Sequence, residues 1–176
     1  IMYNRHYERL DRPFTVRKGV AIAPGAYHYG QLRLSFNSSQ ARRIYYNLML
    51  APQTFFNGTR VDILATVGAR ITSQFSTQAS YSRNDIDLPA GEFNVHLAAF
   101  RVDYALSPKI TLRTISQYNS STEQWGSSAR LRYTYRPGSD VYLVYDEVRR
   151  DPTDPTGLLE FRDRRLMLKA TYLLSR

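Results

Sequence analysis

The feature that most constrains the fold is an alternation of apolar and charged residues with a period of two. In the segment SSARLRYTYRPGSDVYLVYDE, which begins at Ser127, Leu131 and Tyr133 alternate with Arg130 and Arg132. Because successive side chains of a β-strand point to opposite faces of its sheet, this pattern predicts a strand with one apolar face and one arginine face.

The same alternation recurs along the chain in short blocks rich in Tyr, Val, Thr, Phe and Ile, while helical periodicity is hard to find. Residues of these types favour strands, so the sequence predicts an all-β fold. The predicted strands cover residues 3–10, 27–36, 42–50, 61–69, 75–83, 95–105, 110–119, 127–136, 141–148 and 164–174.

The connections between the blocks supply a second pattern, because short and long links alternate. Tight links are predicted at residues 38–41, 70–74, 106–109 and 137–138, and longer ones at 51–60, 84–93, 120–126 and 149–163. Short turns on one rim and long loops on the other are typical of outer-membrane barrels. The sequence therefore predicts a transmembrane antiparallel up-and-down β-barrel of about ten strands, or the C-terminal part of a larger barrel. Residues 1–176 form a single domain in this interpretation, with residues 1–24 as an entry strand and loop.

In such a barrel the apolar parity meets lipid and the polar parity lines the lumen. An arginine on the lipid side would cost roughly 2–4 kcal/mol near the bilayer midplane, so the two faces cannot easily be exchanged. The predicted lumen-facing residues are Arg33, Arg43, Asp62, Arg101, Asp103, Arg113, Arg130, Arg132 and Lys169. The predicted lipid-facing residues are Leu32, Leu34, Phe36, Leu131, Tyr133, Leu166, Leu168 and Tyr172. Carboxylates expected to pair with the lumen arginines are Asp62, Asp103, Asp146 and Glu147.

Composition narrows the partners and the chemistry. The formal net charge is +9, which favours polyanionic partners such as acidic lipid or lipopolysaccharide. The chain has no cysteine, and its three histidines, His6, His28 and His96, lack metal-ligand spacing. A Ser-His pair on the outer wall that includes His96 is a possible enzymatic arrangement, and it is disfavoured because no serine is singled out by its context. We therefore expect no catalytic residue, no metal and no cofactor. The chain begins without a signal-peptide pattern, so any export signal is expected upstream or already removed.

Three stretches carry a resemblance to a known family: NDIDLPAGEF, YALSPKITLRTISQYNS and RLRYTYRPGSDVYLVY. Together with their surroundings, over about residues 14–176, they resemble the C-terminal outer-membrane β-barrel domain, of unknown function, of bacterial proteins that carry an N-terminal carbohydrate-binding module family 9-like domain. The resemblance implies a location in the bacterial outer membrane and a link to glycan capture. It carries over no catalytic residue, and in this interpretation residues 1–176 correspond to the barrel part of such a protein, without the sugar-binding part.

These observations favour a non-enzymatic outer-membrane barrel that serves as a membrane anchor or assembly partner, linked to surface glycan binding or uptake. Its partners would be outer-membrane lipid and lipopolysaccharide, together with other chains of a membrane complex or a surface carbohydrate-binding domain. The first alternative is a narrow porin-like channel with an arginine-rich lumen. The second is a soluble basic β-protein that binds single-stranded nucleic acid, which is disfavoured because aromatic residues and arginines take opposite parities.

Overall fold

The computed structural model describes residues 1–17, 19–150 and 160–174, with side chains throughout except at 160 and 161. The strands are β1 Met2–Leu10, β2 Phe14–Arg17, β3 Val20–Ile22, β4 Gly25–Asn37, β5 Ile44–Phe55, β6 Gly58–Arg70, β7 Phe75–Leu88, β8 Gly91–Ser107, β9 Ile110–Asn119, β10 Gln124–Arg136, β11 Ser139–Arg150 and β12 Glu160–Ala170. The predicted all-β fold is confirmed. Over these described ranges, no helix is long and apolar enough to cross a membrane.

Ten of the strands form one antiparallel sheet in the order β1-β4-β5-β6-β7-β8-β9-β10-β11-β12, and β2 and β3 form a separate hairpin. Each strand of the large sheet therefore lies beside its neighbours in sequence, which confirms the up-and-down order. Within the described residues no ladder joins β1 to β12, so the sheet is open and these two strands are its edges. Closure into a barrel is not seen in this structure.

The connections lie at two ends of the sheet. We call turn end the end with the β4–β5, β6–β7, β8–β9 and β10–β11 connections, and loop end the opposite one. The turn end agrees with the tight links expected there. At the loop end, the long loops predicted for residues 51–60 and 84–93 are wrong, because only residues 56–57 and 89–90 separate the strands. The strands continue to Phe55 and Leu88 because their last residues find apolar neighbours to pack against. Most of the long loop expected at residues 149–163 lies outside the described residues.

The main apolar core of the described chain lies at the loop end. Ile22, Phe56, Ile86 and Leu88 are buried there, and these are surrounded by partly buried apolar side chains from β1, β2, β3, β4, β5 and β8. The β2–β3 hairpin reverses at Gly19, whose φ of 84° is easily adopted by glycine. Residues 1–24 thus contain, besides the expected entry strand, a packed hairpin that the sequence interpretation treated as loop.

Candidate functional site

The strand register assigns every side chain of the sheet to one of two faces. Leu131 of β10 is paired with Leu112 of β9 and Leu143 of β11, whereas Arg130 is paired with Arg113 of β9. Residues directly opposite each other in an antiparallel pair share a face. We call the side that carries Leu131 the apolar face and the side that carries Arg130 the polar face.

The two predicted residue sets fall on separate faces. The residues of the first set that lie in strands are on the polar face: Arg33, Asp62, Arg101, Asp103, Arg113, Arg130, Arg132 and Lys169. Arg43 directly precedes β5. The residues of the second set that lie in strands are on the apolar face: Leu32, Leu34, Phe36, Leu131, Tyr133, Leu166 and Leu168. Tyr172 follows β12, and its ring lies 5.3 Å from the guanidinium carbon of Arg136. Contact with lipid or with a lumen stays a prediction for both sets.

The apolar face has no protein layer over it in the described part of the chain. Leu131 is 37% exposed, Tyr133 46%, Phe100 51% and Leu168 75%. The buried strand residues Gln31 (9%), Ala51 (0%) and Asp140 (7%) lie instead on the polar face, where side chains crowd together. Side chains that crowd together on the polar face and spread apart on the apolar face indicate that the sheet curves towards its polar face.

A row of charged residues crosses the polar face near the turn end. Successive partners across β6 to β10 are Arg70, Ser76, Asp103, Arg113 and Arg130. The Arg113 guanidinium is ion-paired with the Asp103 carboxylate. Arg130 stands directly opposite Arg113, and no side-chain partner for it is found among the described residues. Two cations placed opposite each other in a sheet destabilise it unless a counter-charge is present.

A second arginine beside this row is held by a buried carboxylate. Arg132 donates from Nε to Asp140 Oδ1 over 2.9 Å and from Nη2 to Oδ2 over 3.1 Å. Tyr142 donates to the same carboxylate over 3.2 Å, and the Thr134 hydroxyl also donates to it. This network fixes the plane of the Arg132 guanidinium, because a bidentate pair allows little rotation.

The row borders a cavity of about 610 Å³ at the turn end. Four arginines line it, namely Arg70, Arg113, Arg130 and Arg132, against a single carboxylate of Asp103. The rest of the lining is mixed. Its polar residues are Thr72, Ser73, Gln74, Ser76, Thr111 and Tyr142, and its other residues are Phe75, Tyr104, Ala105 and Leu112. The arrangement suits an anionic ligand, because four arginines and only one carboxylate line the cavity.

The predicted carboxylate partners agree with the structure only in part. Asp62 accepts from Arg60 over 2.6 Å and Asp103 pairs with Arg113, both on the polar face. Glu147 pairs with Arg149, but its register partner Ser127 places it on the apolar face. The lumen pairing predicted for Glu147 is therefore wrong, because β11 and β12 carry charged residues on both faces near the loop end. Asp146, by contrast, lies on the polar face, opposite Arg165.

Asp140 is the site residue that the sequence interpretation missed. It follows the Pro137-Gly138 turn by two residues, and the hairpin register pairs Thr134 with Asp140 and Arg132 with Tyr142. Counting outward from the turn would have brought the carboxylate next to Arg132. A count of residues from the turn would also have had to allow for the β-bulge between Thr134 and Arg136, where the register shifts.

His96 and Asp85 form polar contacts with residues close to them in the sheet. His96 Nδ1 lies 2.7 Å from the Tyr81 hydroxyl, and Nε2 lies 3.1 Å from Asn94 Oδ1. Asp85, which was expected in a loop, lies in β7 and pairs with Arg83 over 2.8 Å. Over the described ranges, no three His, Asp or Glu side chains come together in a way that would hold a metal ion.

The tyrosines lie on both faces of the sheet, whereas the sequence predicted aromatic residues on the apolar face and arginines on the other. Tyr81, Tyr104 and Tyr133 lie on the apolar face, as expected from their parity. Tyr45 and Tyr142, however, lie on the polar face with the arginines, as their partners Gly68 and Lys169 show. The Tyr45 ring covers Gly68, where an added Cβ would come within 2.1 Å of it. The complete separation of aromatic residues from arginines that was used against nucleic-acid binding is thus not observed.

Comparison with known proteins adds little to this description. No family model matches the sequence, and no curated protein matches it. One solved structure, titled "NanC porin structure in rhombohedral crystal form", is similar over 98% of this chain and 92% of that chain. The identity is 12% and the TM-score is 0.48.

Proposed function

We propose that this chain forms the wall of an outer-membrane β-barrel and that its polar face lines a narrow, water-filled passage for anionic solutes. The apolar face contacts lipid in this arrangement, and the arginines face the passage. Of the functions considered from the sequence, this is the narrow channel with an arginine-rich lumen.

The observation that carries the proposal is the uncovered apolar face. Exposed apolar side chains occur on it in β4, β5, β6, β7, β8, β10, β11 and β12, so the exposed surface is continuous across most of the sheet. Apolar patches beyond a few hundred Å² mark membrane or protein contacts. The strands of the large sheet are 9 to 17 residues long, and about 9–11 residues cross a bilayer when a strand is tilted.

The open edges set a condition on this proposal. In lipid each unsatisfied backbone group costs several kcal/mol, so the free edges of β1 and β12 must be paired in the membrane. The two edge strands run in opposite directions, as antiparallel closure requires. They pair either with each other or with further strands.

The charge of the polar face supports anions as the solutes. Arg101, Arg130 and Lys169 have no carboxylate partner among the described residues. A polar channel with low-dielectric walls concentrates ions of the opposite sign. We therefore expect conductance that favours anions over cations.

The test of the membrane assignment uses two neighbouring residues. Leu48 lies on the apolar face between Phe36 and Ala65, and Asn47 lies on the polar face between Asn37 and Thr66. Leu48→Arg should abolish or sharply reduce insertion into vesicles, at a cost of roughly 2–4 kcal/mol, whereas Asn47→Arg should insert normally. Insertion is measured by protease protection and by migration of unheated samples on a gel. Equal insertion of both variants would refute the proposal.

The passage itself is tested in planar bilayers. The inserted wild-type chain should conduct with a reversal potential that shows anion preference under a salt gradient. A reversal potential that shows preference for cations would contradict an arginine-lined passage. A current that is seen with the Leu48→Arg variant and not with wild type would also contradict it.

A second candidate is the anchor or assembly partner, and the two free sheet edges favour it. Edge strands are templates for pairing with another chain. In this reading the barrel is completed by other chains of a membrane complex, and the resemblance described above adds a surface carbohydrate-binding domain as cargo. Stable insertion without any conductance would favour the anchor over the passage.

A further inference from the structure

We propose that the turn-end cavity is a binding site for the phosphate group of a soluble, phosphorylated solute. The inference rests on the proposed function for the route by which the solute reaches the polar face. The site itself is defined by Arg70, Arg113, Arg130 and Arg132 together with the hydroxyl groups around them.

The first reason is the direct opposition of Arg113 and Arg130. The Cα atoms of such a cross-strand pair are about 5 Å apart, and like charges at this position destabilise a sheet. Asp103 compensates Arg113 only. An anion between the two guanidinium groups would remove the repulsion and would supply the counter-charge that Arg130 lacks within the described chain.

The second reason is the way in which the neighbouring arginine is held. Both oxygens of the Asp140 carboxylate accept from Arg132, and the Asp140 side chain is 10% exposed. Arg132 still lines the cavity, and its side chain remains 47% exposed. An arginine oriented in advance loses less side-chain entropy when it binds an anion.

The third reason is the match in charge and in donor number. Four arginines line the cavity, and Asp103 and Asp140 neutralise two of them, which leaves an excess of two positive charges. A phosphate monoester carries close to two negative charges at pH 7 and three terminal acceptor oxygens. It can therefore accept from two arginine forks at once, whereas a carboxylate has only two oxygens to share between them.

The choice of a solute over a lipid headgroup follows from the face on which the cavity lies. The lining arginines are on the polar face, opposite Leu131 and Tyr133. Lipid chains contact the other side of the sheet in the proposed membrane arrangement. A phosphorylated lipid would have to bring its headgroup around the rim of the sheet.

The experiment measures the binding of inorganic phosphate to the full chain in micelles of a neutral detergent, by calorimetry at low ionic strength. Wild type should bind saturably. Arg130→Gln should weaken binding about tenfold, the effect of losing one charge-assisted contact, and Arg130→Lys should weaken it less. Arg101→Gln is the matched control, since Arg101 lies on the same face, forms no ion pair in the described chain and does not line the cavity. Its affinity should stay within about twofold of wild type.

A second readout separates a binding residue from a structural one. Without phosphate, Arg130→Gln should be at least as resistant to urea as wild type, because the opposed charges are gone. At the same phosphate concentration, wild type and Arg101→Gln should gain resistance, and Arg130→Gln should gain clearly less. Absence of saturable binding, or equal weakening by Arg101→Gln, would overturn the site.

The outcomes also separate this inference from the proposed function. A chain that inserts and conducts anions but does not bind phosphate would refute the site alone. A chain that binds phosphate in micelles but fails to insert into vesicles would refute the membrane function alone. If Arg130→Gln weakened only the binding of a phosphorylated lipid added to the micelles, the assignment to a soluble solute would be wrong.

Discussion

The loop end and the turn end of the polar face differ in what lies against the sheet. At the loop end the β2–β3 hairpin packs against Phe56, Ile86 and Leu88 and excludes water. At the turn end the same side of the same sheet carries Arg113, Arg130 and their neighbours around an open cavity. One end is held together by apolar burial and the other by charge, although both belong to one continuous set of strands.

The difference shows that the residue types on the polar face depend on position along the strands as well as on parity. In β7 and β8 the polar-face residues change from Gln78 and Arg101 in the middle to Ile86 and Phe93 near the loop end. A local apolar cluster needs a partner layer, and the hairpin supplies it. The arginines need a counter-charge or water, so the cavity beside them stays open.

The largest effect that distinguishes the two ends is expected at Ile22. This side chain is 2% exposed, so Ile22→Ala should cost about 2–5 kcal/mol of stability through lost burial and a residual cavity. Urea unfolding in detergent measures the change, and trypsin should cut faster at Arg17. Met167→Ala, which removes a 41% exposed side chain of the polar face, should change stability by less than about 0.5 kcal/mol. Similar losses in the two variants would mean that the hairpin is not packed.

An intermediate effect is expected at the turn end from Asp140→Asn. The substitution keeps the shape of the side chain but removes the charge that holds Arg132, so the urea midpoint should fall by roughly 0.5–1 M. Asp85→Asn serves as the control, because the Arg83–Asp85 pair is 44% and 38% exposed and such pairs contribute little. The turn end would not depend on charge if the two midpoints shifted equally.

The smallest effect is expected from Arg17, a cation that contacts the apolar cluster at the loop end. The Arg17 guanidinium carbon lies 5.4 Å from the centre of the Phe93 ring, so Arg17→Gln should cost about 0.5–1 kcal/mol. Arg17→Lys keeps the positive charge and should therefore retain most of this contribution to stability. Thermal unfolding in detergent compares the three proteins, and a loss as large as that of Ile22→Ala would show that charge matters at both ends.

Much of the fold could be predicted from the sequence because parity is a local signal. The alternation of Leu131 with Arg130 and Arg132 assigned strand and face correctly, and the strand order followed from short connections. Strand ends were less predictable at the loop end. There, Phe55, Ile86 and Leu88 continue the strands on the polar face, where the pattern led us to expect polar residues, so the segments were interpreted as loops.

The site depended on information that parity does not contain. A shift of two residues between neighbouring strands keeps every side chain on its face but changes which residues stand opposite each other. The opposition of Arg113 and Arg130, and the pairing of Arg132 with Asp140, are therefore consequences of register. The same holds for the contact of the hairpin with the sheet, which joins residues far apart in sequence.

The sequence by itself determined that this chain forms long antiparallel strands with one apolar and one arginine-bearing side, because the period of two is set by the geometry of a single strand. Only the tertiary structure decided which arginines meet and where the hairpin packs. It also decided that, among the residues the structure describes, nothing covers the apolar face and no strand pairs with the outer edges of β1 and β12. These properties depend on the packing of separate strands against one another, and local patterning leaves that packing open.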